Sequence, residues 1–205
     1  MIHSIKVHSS STSPFGRRVS LALKRIGHPF ESIEAGNLFP PDDGLIAKNP
    51  LGLIPILEFD KEDPICDSTH ILEFLDHKLG GIWPKELQSH WKEKRVSIFA
   101  TGVMTHAVSW RLESLQESPH ISSQESKIAS IKNTLKHLNQ MVERDSKRFF
   151  HPKPGQGAWD IGIALEYLEF RLFPTNPLNF PEILKDLLEN LREDRYFKES
   201  APKSV

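Results

Sequence analysis

Three short stretches in the first 70 residues hold the side chains best suited to chemistry. Ser13-Pro14-Phe15-Gly16-Arg17-Arg18-Val19 sets a hydroxyl just before a proline that suits a first helical turn. Asn49-Pro50-Leu51-Gly52-Leu53-Ile54-Pro55-Ile56-Leu57 sets a proline inside a strand-like run. Ile65-Cys66-Asp67-Ser68 ends on a carboxylate and a hydroxyl at a second helix start. Together these groups suit the holding of a peptide thiol. A cysteine thiol starts near a pKa of about 8.5 and falls at helix N-termini or beside cationic groups. Each unit is worth about 1.4 kcal/mol of preference for the anion. Two readings stand at each stretch. Ser13 either aims its hydroxyl and nearby backbone N–H groups at one sulfur or is a plain N-cap, with Ser9, Ser10, Ser11 and Thr12 as competing hydroxyls. Ile54-Pro55 is either a cis bond that turns the Ile54 N–H and C=O toward an extended peptide or an ordinary trans proline on an edge strand. Asp67-Ser68 either binds the charged end of a small peptide or caps a helix.

The elements that must position these groups follow from periodicity. Ile5 and Val7 alternate with polar residues, as on a half-buried strand. Val19, Ala22, Leu23 and Ile26 fall on one helix face, which Gly27 stops. Phe30 to Glu34 is a second strand, Gly36 to Lys48 a loop, Ile54 to Phe59 a third strand and Pro64 to Cys66 a short fourth. Ile71, Leu72, Leu75 and Leu79 form the apolar face of a helix from Asp67 to Gly80-Gly81. Beyond Trp83-Pro84 the pattern is helical only. Long segments run from Trp91 to Leu115 and from Gln124 to Arg144, the latter with Ile128, Ile131, Leu135, Leu138 and Val142 in register. His151 to Gly157 breaks the chain, Trp159 to Phe173 is the most apolar helix, Pro181 to Leu191 is another, and the last ten residues read as a polar surface tail.

Composition narrows the classes. The chain has 205 residues, 38% hydrophobic and 26% charged, room for one large domain or two small ones. A net charge of -1 gives no electrostatic reason to expect nucleic acid or an anionic membrane. Apolar runs fall short of a membrane span, and the first residues read as a strand start. The single cysteine, Cys66, excludes an internal disulfide framework and fits the cytoplasm; inside a short apolar strand it reads as buried and inert. Ten histidines show no tight ligand spacing, so no metal site is expected.

In order and spacing, the three stretches resemble the soluble glutathione transferases of the serine type, in bacterial form. Ser-Pro-Phe-x-x-Arg-Val matches their catalytic segment, and the distance to Arg18 is what selects Ser13 from its neighbours. Asn49-Pro50-x-Gly52-x-Ile54-Pro55 matches the segment with their cis proline, and Asp67-Ser68 the pair that holds the γ-glutamyl end of glutathione. Gly102-Val103-Met104 to Glu113, Asp160 to Arg171, and Arg195 to Pro202 resemble helices of their second half. The resemblance implies an α/β thioredoxin-like, glutathione-binding domain over residues 1–80, a linker at 81–85, and an all-helical domain over 86–205 that supplies the hydrophobic substrate site. It implies a homodimer as well. It makes Ser13 catalytic, and Phe15, Lys48, Ile54, Pro55, Asp67 and Ser68 the glutathione-binding set. Met104, His106 and Trp110 become candidates for the pocket of an electrophilic, largely apolar second substrate. The implied role is glutathione conjugation in detoxification; a weakly catalytic binding protein of this fold and a dedicated glutathione-dependent lyase or isomerase are the alternatives.

Departures from the pattern are specific. Leu53 stands where Lys or Gln is usual. Gly157 stands where Ser or Thr caps the helix that holds Asp160. Thr101 and Thr105 stand in place of Asp. Arg17 and Arg18 either add positive charge near the thiolate or are, respectively, solvent-exposed and a partner in an interdomain ion pair.

Overall fold

Alternation of Ile5 and Val7 with polar residues builds the first strand, β1 (Ile5–Ser9), whose odd positions are buried. Pro14 opens α1 (Pro14–Arg25), and Gly27, at φ 72, ends the turn that follows it. Strand β2 (Glu31–Glu34) pairs parallel with β1, with Val7 opposite Ser32. Residues 43–48, expected as loop, are helical: Asp42 accepts the Leu45 N–H at 2.8 Å and caps α2 (Asp43–Lys48). The signal was an Asp just ahead of a short apolar turn; the prolines and glycine around it masked it. Strand β3 (Ile56–Phe59) runs antiparallel to β1, and β4 (Ile65–Cys66) antiparallel to β3. The third strand therefore starts after Ile54-Pro55, not on it. Helix α3 (Ser68–Leu79) completes the unit, with Ile71, Leu72 and Leu75 fully buried and Leu79 at its margin. The sheet order is β2-β1-β3-β4.

The structure is a computed structural model that describes residues 3–36, 38–173 and 178–202. Its described residues up to Ile82, joined by those from Glu199 onward, form one compact unit, and Trp83–Lys198 form a second.

The second unit is helical throughout. Helix α4 (Leu87–Ser114) packs against α5 (Ile121–Arg144) and α7 (Gln156–Arg171), with the one-turn α6 (Ser146–Phe149) between the last two in sequence. The five apolar positions expected on α5 are all buried. Every residue of α7 from Gln156 to Leu168 is buried, as expected of a central helix with no solvent face. Helix α8 (Glu182–Arg192) covers it with Leu184, Leu187, Leu188 and Leu191. The described part of the tail keeps Tyr196, Lys198 and Glu199 exposed, as expected of a surface segment, but it is helical in part and buries one residue. It forms α9 (Arg195–Glu199), where Asp194 accepts the N–H groups of Tyr196 and Phe197, and Phe197 is fully buried against Trp159. No helix among the described residues is long and apolar enough to cross a membrane.

Candidate functional site

Two helix starts of the first unit share one construction. An α-helix leaves its first N–H groups without an intrahelical acceptor. At α1, Ser13 Oγ accepts the Gly16 N–H at 3.2 Å and the Ser13 carbonyl takes the Arg17 N–H. Pro14 has no N–H to satisfy. Phe15 is thus left with a donor that the helix does not use. A hydroxyl has two lone pairs and one proton, so the cap consumes an acceptor position and leaves the Ser13 proton to be donated. Gly16 is required here because a Cβ would run into the side chain of Ser9 on β1.

At α3, the Asp67 carboxylate accepts both the Thr69 N–H at 2.8 Å and the His70 N–H at 3.1 Å through one oxygen. The Asp67 carbonyl takes the Ile71 N–H. Ser68 keeps the N–H that the helix cannot satisfy. Asp67 is exposed and sits at φ 68, ψ 126, outside the regions a side-chain-bearing residue prefers. Such strain costs of order 1–3 kcal/mol and collects at functional sites.

Arg18 joins the two starts. It lies on α1, is fully buried, and its Nη1 donates to Ser68 Oγ and to Thr69 Oγ1, each at 3.0 Å. Arg17 is also buried, not solvent-exposed; its Nε donates to Ser200 Oγ at 3.1 Å in the tail segment of the same unit. Sequence reasoning used Arg18 for its spacing to Ser13 and as a partner in an interdomain ion pair; its contacts with Ser68 and Thr69, within the first unit, had no local signal.

The Ile54–Pro55 bond is cis, as is Phe39–Pro40. The loop before it is shaped by buried Asn49, whose Nδ2 donates to the Leu53 carbonyl at 2.7 Å and whose Oδ1 accepts the Leu51 N–H. Gly52 at φ 65 closes the turn. The Leu53 side chain is 59% exposed. Lys48 is not free in solvent: its ammonium pairs with Glu58, which His8 also contacts at 2.9 Å. The Lys48 hydrogen bond, aided by His8, holds the Glu58 carboxyl below the usual glutamate range despite partial burial. Cys66 is half-buried, with its thiol directed at the Lys48 carbonyl, and burial pushes that thiol up. This fits an inert cysteine.

In the second unit, Met104 is fully buried, Trp110 is 7% exposed and His106 is half-buried, all on α4. Thr101 and Thr105 bond back to the carbonyls of Ser97 and Thr101. The missing cap at Gly157 is made good from another helix. Glu93 on α4 accepts the Gly157 N–H at 2.5 Å and pairs with Arg148 at 2.6 Å. Asp160 accepts from Ser97 and Gln156. Among the described residues no cluster of metal-binding side chains occurs.

Residues 12–78 match the family model for the glutathione S-transferase N-terminal domain. The uncharacterised GST-like protein YibF of Escherichia coli K12 is 28% identical over 211 residues, covering 97% of this chain and 98% of that protein. Mouse glutathione S-transferase omega-1 is 36% identical over 72 residues, 35% of this chain and 30% of the mouse protein. Among solved structures, a glutathione transferase family member from Pseudomonas fluorescens Pf-5 with bound glutathione superposes with a TM-score of 0.85 at 22% identity, covering 98% and 100% of the two chains. A glutathione S-transferase from Methylobacterium radiotolerans in complex with glutathione sulfonate gives 0.81 at 20% identity, covering 98% and 96%. Residues 12–78 thus match the N-terminal domain of the glutathione S-transferases, and the described chain as a whole has the fold of the glutathione transferases of known structure.

Proposed function

We propose that this protein is a serine-type glutathione transferase in which the Ser13 hydroxyl donates a hydrogen bond to the glutathione thiolate. The observation that carries the reading is the Ser13 cap. Its Oγ spends a lone pair on the Gly16 N–H and keeps its proton, beside the Phe15 N–H that α1 cannot use. Two donors and the positive end of a helix then favour the anion of a thiol. The same construction at α3 gives Ser68 an N–H and a hydroxyl for the γ-glutamyl carboxylate. The carboxylate of Asp67 serves the amino group. The backbone of Ile54, ahead of Pro55, pairs with the cysteinyl residue, and Lys48 serves the glycyl carboxylate in exchange for Glu58.

The thiolate attacks an electrophilic carbon of an apolar small molecule. A C–S bond forms, and the electron pair leaves with a departing group or is protonated after addition. Met104, His106 and Trp110 contribute to that substrate's pocket. The setting is the cytoplasm, the role detoxification and the assembly a homodimer. Leu87, Trp91 and Ile98, 68%, 61% and 57% exposed along α4, support a partner surface, and light scattering tests it.

Leu53 favours a second reading, a glutathione-binding protein with little catalysis, because its exposed side chain offers nothing polar to a peptide.

Ser13→Ala tests the first. A hydrogen bond to a charged group is worth about 1.5–3 kcal/mol, or about one to two pKa units of the bound thiol. Thiolate absorbance of the glutathione complex should titrate at higher pH by that amount, and conjugation of an activated chloroarene should fall at least tenfold with the fold intact. Unchanged values for both would remove Ser13 from the role.

A further inference from the structure

We propose that Arg18 is a positioning residue that fixes Ser68 as a hydrogen-bond donor to the carboxylate of its ligand. This rests on the glutathione site described above and deepens it. A guanidinium only donates. Where Arg18 Nη1 lies 3.0 Å from both Ser68 Oγ and Thr69 Oγ1, each hydroxyl is held as an acceptor on the side facing α1. With a lone pair of Ser68 engaged from within the protein, its proton turns away from Arg18, in company with the Ser68 N–H that α3 cannot satisfy. An unfixed serine hydroxyl rotates to suit and can present a lone pair to an incoming anion; one engaged by Arg18 presents its proton. Ser68 is 2% exposed and Arg18 not at all, so water does not compete for this geometry. Arg18 lies five residues after Ser13 on the same helix, so the residue that orients the carboxylate end belongs to the element that carries the thiolate donor.

The test compares two probes by calorimetry: glutathione, and 4-aminobutyryl-cysteinylglycine, which lacks only the γ-glutamyl α-carboxylate. Ser68→Ala and Arg18→Met should each weaken glutathione about tenfold and the analogue less than twofold, as expected for loss of a donor to a charged group. The double variant should bind no more weakly than Ser68→Ala alone. Arg18→Lys, which retains a donor and a charge in place of a buried gap, should recover part of the loss and keeps the test open if Arg18→Met does not fold. Equal losses for the two probes, or additive losses in the double variant, overturn the inference and mark Arg18 as packing. Failure of the wild-type protein to bind glutathione overturns the functional reading instead.

Discussion

At the scale of single residues, two serines of the first unit each spend a lone pair on a donor within the protein. Ser13 caps α1 with a lone pair, and Ser68, the first residue after the Asp67 cap of α3, accepts from Arg18; each hydroxyl keeps a proton, so these bonds leave room for the donor roles proposed above. This is also why the sequence left the two readings unresolved. Spacing to Arg18 distinguished Ser13 from its neighbours, but the contact of Arg18 with Ser68 spans 50 residues and no local pattern encodes it. Lys48 was legible as a nearby cation and not as the partner of Glu58, because that pair depends on the register of a strand ten residues further on. Leu53 is the residue where function is most open to change. Its backbone carbonyl is held by Asn49 and its side chain is largely exposed, so replacing it disturbs little of the fold. Leu53→Gln adds a donor and acceptor beside Ile54, and a net hydrogen bond is worth about 0.5–1.5 kcal/mol. Glutathione affinity, measured by titration, should rise about two- to tenfold with thermal stability unchanged. No gain would place Leu53 away from the peptide.

At the scale of elements, periodicity located most helices and strands to within a few residues, because each buries one face or, for α7, all of them. It failed where position depends on partners elsewhere. Helix α2 is six residues long, too short to show a period, and its cap Asp42 lies among prolines. The start of α7 is the sharper case. Sequence comparison marks Gly157 as a lost cap, but Glu93 of α4 supplies the acceptor, 64 residues away. The glycine is then a requirement. A Cβ at Gly157 would lie 2.8 Å from Val96 Cβ and 2.9 Å from Glu93 Oε1. Gly157→Ser, which restores the expected cap residue, should therefore destabilise the protein by about 1–3 kcal/mol through overpacking. Glu93→Ala should cost about 3 kcal/mol, since it orphans an N–H and leaves Arg148 beside a gap. Glu93→Gln, which keeps an acceptor, should lose less. Denaturant midpoints followed by the fluorescence of Trp159, near the start of α7, read all three. A stabilised Gly157→Ser variant would show that the Glu93 cap is dispensable.

At the scale of the whole molecule, the chain crosses from one unit to the other at Ile82–Trp83 and returns at Glu199. The first crossing follows the glycine pair at 80–81; the return has no such marker, because a polar composition read as surface conceals Phe197 and Ser200. The first unit therefore includes residues from Glu199 onward, and one described link to them is the bond from buried Arg17 to Ser200. All four tryptophans, Trp83, Trp91, Trp110 and Trp159, lie in the second unit, so their fluorescence is blind to loosening of the first. Amide hydrogen exchange in β1 and α1 reports the first unit directly. Arg17→Ala and Ser200→Ala should each lower protection there. The double variant should lose less than the sum, with a coupling of about 1 kcal/mol for a charged donor on a hydroxyl. The tryptophan transition should stay in place in each case, because neither side chain belongs to the helical unit. Additive losses in β1 and α1 would mean that the tail closes the first unit by packing alone. An equal shift of the tryptophan signal would mean that the two units unfold as one, so that the Arg17–Ser200 bond stabilises the whole chain and not only the unit that carries Ser13.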